Sequence, residues 1–328
     1  MTQMTVIEAV RDAMRLEMRR DPDVFIMGED VANRGGVFLA TDGFLEEFGE
    51  ERVIDTPLAE SSIAGIALGA AVNGMRPIAE IQFADFIWPA INQLVGEAAR
   101  VRYGTNGRKH VPLTVRSPYG GGVRGGLYHS QSVEVLFSHT PGLKVVAPAT
   151  PYDAKGLLIS SIRDDDPVIF LEHKKSYRLV RGEVVEGDYT EPIGVAEVKR
   201  EGSDITVITY GLMLHYCLQA AQALSERTGA EALVLDLRTL RPLDQQAICE
   251  AARHTGKVLV VQEDTPAVSI SSEVAAIIGE YVFFDLDAPV RRLGAPELPP
   301  MPFSPLQEAA FVPSAERILG AMEELAGL

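Results

Sequence analysis

Short apolar runs alternate with amphipathic stretches along almost the whole chain, and Gly, Pro or Asp commonly marks the change. Such alternation predicts βαβ units built around largely parallel sheets. In the first half, strands are expected over 24–27, 53–55, 77–83, 113–116, 144–147 and 167–171. Helices are expected over 5–20, 61–72, 86–103 and 152–163. The segment 61–72, SSIAGIALGAAV, is rich in Gly and Ala. Small residues let a helix approach a sheet or a second helix closely, so this one is expected to be buried.

After Glu172 the composition turns polar and turn-rich, and a second α/β cycle follows. Its strands are expected over 205–210, 232–237, 258–262 and 290–293, with helices over 213–227, 243–254 and 271–280. From Pro296 the prolines are expected to preclude regular structure until a last helix over 315–325. The fold class is α/β in two domains: residues 1–185, a connection over 186–200, and residues 201–328. A chain of 328 residues has the length for two such domains.

Charge narrows the function. Against 30 basic residues stand 46 acidic ones, a net −16 that repels phosphate backbones, so no nucleic-acid partner is expected. No stretch approaches the roughly 20 apolar residues that span a bilayer, and the N-terminus lacks the apolar centre of a secretory signal. A soluble protein of the cytoplasm, or of the mitochondrial matrix in a eukaryote, is expected, without a membrane partner. Cys217 and Cys249 lie apart in expected helices with no metal-ligand spacing, and are read as reduced, inert thiols.

Two places carry candidate chemistry. The run SPYGGGVRGGLYHSQS (117–132) lacks the strand–glycines–helix order of a nucleotide-binding loop. It is either a flexible surface loop or a loop that delivers His129 to a site at the carboxyl end of a strand, where open α/β sheets bind ligands. In VIDTPLAESS (53–62), Glu60 precedes the Ala/Gly-rich helix. It is either an acid favoured electrostatically in a first helical turn or a partly desolvated acid held at the sheet edge. Asp164–Asp166 is read as a helix end turning into the next strand, with a cation held by carbonyls as the alternative.

The order of GED (28–30), RGGVF (34–38), DTPLAE (55–60), EIQFADF (80–86), GGLYHSQS (125–132), TPYDAKGLL (150–158), IRDDDPVIFLE (162–172) and DLRTLRPLD (236–244) resembles one family. It is the β subunit of the thiamine-diphosphate-dependent decarboxylase component of 2-oxo acid dehydrogenase complexes. The resemblance covers essentially the whole chain, and GGLYHSQS with EIQFAD is most similar to the branched-chain type. It implies an N-terminal doubly wound domain that binds the cofactor's pyrimidine and a transketolase-like C-terminal domain. The diphosphate signature, GDG followed later by NN, is absent here. The resemblance therefore leaves the diphosphate and its Mg²⁺ to a separate α subunit, in an assembly of two α and two β chains.

By the same resemblance, Glu60 is the acid that hydrogen-bonds the pyrimidine ring nitrogen and activates the cofactor. Leu58, Gln82 and Phe86 stand beside the pyrimidine, and His129 assists proton handling or acyl transfer. Leu113, Ser161, Ile162, Asp164 and Asp166 match a potassium site in which several ligands are backbone carbonyls. Phe86 replaces the Tyr usual in the branched-chain type, Asp166 replaces a common Asn, and the stretch 262–273 lacks a basic residue often found there. The implied reaction is oxidative decarboxylation of a 2-oxo acid, with the acyl group passed to a lipoyl domain of the dihydrolipoyl acyltransferase core. Pyruvate and acetoin complexes are the neighbouring alternatives within the family, and a non-catalytic scaffold subunit is the alternative outside catalysis. The negative charge suits docking of the C-terminal domain to a basic domain of that core.

Overall fold

The protein is described by a computed structural model covering residues 1–327. It divides into two compact units: Met1–Tyr119 with Leu136–Ile193, and Gly120–Val135 with Gly194–Leu328. The Gly-rich run around His129 thus leaves the first unit and belongs to the second.

The first unit is built on six parallel strands in the order Lys144–Val146, Val168–His173, Thr114–Tyr119, Arg76–Glu80, Val24–Gly28, Val53–Asp55. Central strands of such a sheet are covered on both faces, which is why VFIMG and VIFLEH read as continuous rather than alternating sequences. The helices Val6–Arg20 and Pro151–Arg163 pack against each other. Val10, Met14 and Met18 from the first, and Leu157, Leu158 and Ile162 from the second, join Ile26, Ile78 and Phe170 of the sheet in one core. Thr5 starts the first helix with a capping box: its hydroxyl accepts the Glu8 N–H, and the Glu8 carboxylate accepts the Thr5 N–H at 2.7 Å. A small antiparallel ribbon joins Thr2–Thr5 to Arg181–Val184.

The second unit carries the strand order Arg291–Leu293, Val258–Val261, Ile205–Thr209, Ala232–Asp236, Glu197–Arg200. All neighbours are parallel except the edge strand Glu197–Arg200, which runs antiparallel along Ala232–Asp236. That edge strand lies in the stretch expected to be a bare connection.

Three expectations need correction. The helix expected over 86–103 is a succession of 3₁₀, π and short α turns from Ala84 to Gly104. Pro89 lacks the N–H a continuous helix requires, and Gly96 sits within the π turn. The proline-rich tail is not free of regular structure: Pro305–Phe311 forms a helix with Pro305 in its first turn. There the missing N–H costs nothing and the fixed φ favours helix entry. The strand expected over 77–83 ends at Glu80, which frees 81–86 to form a loop at the sheet's carboxyl edge.

At the centre of the first sheet stands a buried ionic cluster. Arg116 donates to Glu80 Oε2 at 2.6 Å and to both oxygens of Glu172 at 2.6 and 2.7 Å, and Tyr177 Oη donates to Glu172 Oε2 at 2.5 Å. All four side chains are essentially buried. Burial works against the charge on Arg116, yet Glu172 and Glu80 outweigh it and hold its pKa above the ordinary value. Removing the guanidinium would leave two carboxylates buried without a counter-charge. Arg116→Met is expected to lower stability by about 3–5 kcal/mol in urea denaturation of the first unit's transition. A change below about 1 kcal/mol would show that the cluster does not hold the sheet together.

Candidate active site

The register of the first sheet fixes where the candidate residues lie. Gly28 is paired with both Asp55 and Glu80, and Glu80 with Arg116, so these strands end at one level. Glu29, the loop 56–60 and the loop 81–86 therefore leave the sheet together at its carboxyl edge, where open α/β sheets place ligands. Asp55 ties the edge down by accepting the N–H of Ala32 at 2.6 Å and the side-chain amide of Asn33 at 2.8 Å. Gly28 is there because of close approach: a Cβ would stand 2.8 Å from the Glu80 carbonyl oxygen.

Glu60 opens the helix Glu60–Val72, which packs on the strand Arg76–Glu80 and on the turn Trp88–Ala90. Its side chain lies in the first turn, where an acid is favoured by the helix dipole. The residue is 9% exposed, yet among the described residues its carboxylate has no hydrogen bond and no ion pair. Two residues earlier, Leu58 is 79% exposed, an apolar side chain turned to the outside. Gln82 and Phe86 are half-buried on the neighbouring loop. Phe86 meets Phe83 edge-on at 5.9 Å, Phe83 meets Phe38 at 5.6 Å, and Phe38 meets Tyr177 at 5.1 Å. This aromatic series sets Phe86 from the same Tyr177 that closes the ionic cluster.

The acids at this edge interact. Burial, and then the charges of Glu60, Asp30 and Glu80, raise the pKa of Glu29, whose Oε1 is buried without a hydrogen-bond partner. Glu80 is likewise raised by burial, with Arg116 opposing the shift and Glu172 adding to it. Both acids lie in the motifs GED and EIQFADF, yet neither has a role on motif grounds. A signal exists all the same: an acid just beyond an apolar strand is placed at the carboxyl edge by the fold.

The five residues matched to a cation site lie at the opposite, amino edge. The Leu113 carbonyl accepts the Val168 N–H at 2.9 Å. Arg76 donates to the carbonyls of Ile162 and Asp164 at 3.2 and 3.1 Å, and Ser161 Oγ donates to the Leu157 carbonyl at 2.7 Å. Lys144 pairs with Asp164 at 2.6 Å, and Arg102 with Asp166. No three His, Cys, Asp or Glu side chains among the described residues converge as a metal site. A potassium ion would have to use second lone pairs on these carbonyls, because both carboxylates already face protein cations.

His129 lies in the second unit, half-buried, at the end of the 3₁₀ turn Gly126–Tyr128. Its loop closes on itself where Gly120 N–H donates to the Gln131 carbonyl at 3.0 Å. Gly125 makes the turn feasible, since a Cβ there would stand 2.5 Å from the His129 carbonyl oxygen. Just beyond the loop, Tyr210 Oη donates to Glu134 Oε1 at 2.7 Å, while Glu134 Oε2 is buried without a partner. Burial and the neighbouring Asp264 push Glu134 up to about 8, and burial pushes Asp264 up to about 6. The two cysteines are free and buried, and burial pushes Cys217 up to about 12, which leaves it a poor nucleophile.

Comparison with known proteins agrees with this architecture. Residues 2–180 match the transketolase pyrimidine-binding domain and residues 194–318 the transketolase C-terminal domain. The 2-oxoisovalerate dehydrogenase subunit beta of Bacillus subtilis is 60% identical over 326 residues, 99% of each chain. The pyruvate dehydrogenase E1 component subunit beta of the same organism is 50% identical over 97% of each chain. A solved split-gene transketolase, described as an inactive beta4 tetramer, superposes with a TM-score of 0.81 over 99% of each chain at 22% identity, which speaks for the fold alone. The chain belongs to the family of 2-oxo acid dehydrogenase β subunits, in which a transketolase pyrimidine-binding domain is followed by a transketolase C-terminal domain. Among the described residues, no helix is long and apolar enough to cross a membrane.

The raised Glu134 carries a stability prediction. Its ordinary pKa is 4.5 and its folded value about 8, so the folded state favours the protonated form. The stability this contributes is full below about pH 4.5 and is lost as the pH rises through about 8. Glu134→Gln keeps an oxygen to accept from Tyr210 and cannot ionise. It should melt higher than wild type at pH 8–9 and show a flatter profile between pH 5 and 9. Identical melting curves across that range would show that Glu134 ionises normally in the folded protein.

Proposed function

We propose that this chain is the β half of a thiamine-diphosphate-dependent 2-oxo acid dehydrogenase acting on branched-chain 2-oxo acids. The reading rests above all on Glu60, a nearly buried carboxylate with no hydrogen bond inside the chain, set beside the outward-facing Leu58. A carboxylate with no partner in the chain is available to a donor from outside, and a flat heteroaromatic ring that packs on Leu58 and Phe86 would supply one. Thiamine diphosphate fits these residues by its pyrimidine. When bound, it provides the electron sink that lets a 2-oxo acid lose CO₂.

The chain's own part is to hold that ring and manage protons. Glu60 is the hydrogen-bond partner of the pyrimidine ring nitrogen, and Oε is where the activating proton resides. Glu29 lies beside it, its pKa raised by burial and by the charge of Glu60, so a second negative charge next to Glu60 is disfavoured. Gln82 offers an amide at the same edge, and Phe86 a ring face without the hydroxyl of a Tyr. His129 serves proton handling and transfer of the acyl group to the lipoyl arm. The overall reaction takes a 2-oxo acid and an oxidised lipoyl disulfide to CO₂ and an acyl-dihydrolipoyl group.

The diphosphate and Mg²⁺ belong to a partner α subunit in an assembly of two α and two β chains, and the lipoyl domain to a dihydrolipoyl acyltransferase core in the same cytoplasmic complex. Potassium at the amino edge, if bound through the carbonyls of Leu113, Ser161 and Ile162, orders the loop 161–166 and takes no part in the chemistry. The domain limits that go with this reading are 1–185 and 201–328.

Two variants test it in the reconstituted assembly. Glu60→Gln should lower 2-oxo-acid-dependent turnover by roughly 10²–10⁴-fold with the assembly intact. Undiminished turnover would make the chain a scaffold and return Glu60 to helix-end electrostatics. His129→Ala should slow acylation of a lipoyl domain at least as much as it slows decarboxylation read with an artificial acceptor. Wild-type rates in both would remove His129 from the site. Branched-chain acids should be preferred over pyruvate and acetoin, and the reverse order would place the chain with the pyruvate type.

A further inference from the structure

The loop that carries His129 is held by carboxylates through its backbone. Gly121 N–H donates to Glu263 Oε1 at 2.6 Å. The N–H groups of Gly122 and Arg124 both donate to one oxygen, Glu308 Oε1, at 3.0 Å each. Gly122 and Arg124 have φ of 79° and 61°, a left-handed conformation that turns both N–H groups toward one point. A carboxylate in such a concavity makes charge-assisted bonds, shorter and stronger than neutral ones. Glu263 and Glu308 are both essentially buried. Apolar contacts complete the hold. Met301 lies against the Cα of Gly121, where a Cβ would collide with its sulfur, and Phe303 stands 3.2 Å from where a Cβ of Gly126 would be.

We propose that Glu308, assisted by Glu263, is a positioning residue for the acyl-transfer step: it fixes the loop 120–132 and thereby the place of His129. The inference rests on the reading of His129 given above. The loop's glycines make it pliant, and two of its polar anchors are Glu263, just beyond the strand that ends at Val261, and Glu308 of the tail helix Pro305–Phe311. The tail helix thereby brings one carboxylate to a nest of two N–H groups. The acyl-transfer geometry tolerates little drift, since displacement of a reacting group by about 1 Å can cost about 10²-fold in rate.

The test uses the full assembly with its α partner, thiamine diphosphate and Mg²⁺, and an isolated lipoyl domain as acceptor. Four variants are compared: E308A, E308Q, H129A and H129A/E308A. E308A should slow lipoyl acylation by roughly tenfold to a hundredfold, and decarboxylation with an artificial acceptor by less. E308Q, whose amide oxygen still accepts both N–H groups, should stay close to wild type. The double variant should be no slower than H129A, because both changes remove the same contribution. Hydrogen exchange of 120–132 should quicken in E308A and not in H129A. A slow H129A beside a wild-type E308A, or effects that multiply in the double variant, would overturn the proposal and leave His129 in place. A wild-type H129A would overturn the His129 reading and the proposal with it. If E308A does not assemble, E263A, which removes one acceptor, decides the case by the same comparison.

Discussion

One buried guanidinium sets the terms for the acidic edge of the first sheet. Arg116 sits at the centre of three neighbouring parallel strands and binds Glu80 on one side and Glu172 on the other. Without it the sheet would carry two uncompensated carboxylates in its interior, which is strongly destabilising. With it, the acids at the carboxyl edge form a graded series. Glu172 and Glu80 share the guanidinium, Glu29 has its pKa raised by burial and by Glu60, and Glu60 itself is nearly buried with no partner in the chain. The aromatic series from Tyr177 to Phe86 joins the same cluster to the loop beside the site. The position of the ring beside the site thus traces back, through Tyr177 and Glu172, to a single arginine.

The second unit uses its acidity differently. At the glycine loop Glu263 and Glu308 accept from backbone N–H groups. Burial is the main cause of the raised pKa values of Glu134 and Asp264, about 8 and 6, and a neighbouring acid adds to each: Asp264 for Glu134 and Glu263 for Asp264. Part of the net charge of −16 is therefore structural, used inside the unit to fix a loop rather than displayed for a partner.

Much of this was legible in the sequence. The strands over 24–27, 144–147, 205–210 and 258–262 announced themselves as apolar runs, and Glu60 stood out as an acid between Pro57 and an Ala/Gly helix. The broken segment 84–104 is not legible, because its hydrophobic spacing is helical, while Pro89 and Gly96 act on backbone geometry that spacing does not reveal. The tail helix is hard to see in the sequence because its prolines suggest a break, although in a first turn proline is an initiator. The roles of Arg116, Glu263 and Glu308 are invisible to any local pattern: each depends on partners 36 to 186 positions away. His129 stands out by motif, but what holds its loop does not.

The central claim is that this chain supplies the pyrimidine half of a site whose diphosphate half lies on another subunit. The direct measurement is 2-oxo-acid-dependent reduction of an artificial electron acceptor, with thiamine diphosphate and Mg²⁺ present. It compares this chain alone, the α partner alone and the two together. Turnover confined to the mixture is the result expected. Turnover by this chain alone, or none from a mixture shown to bind the cofactor, would contradict the claim.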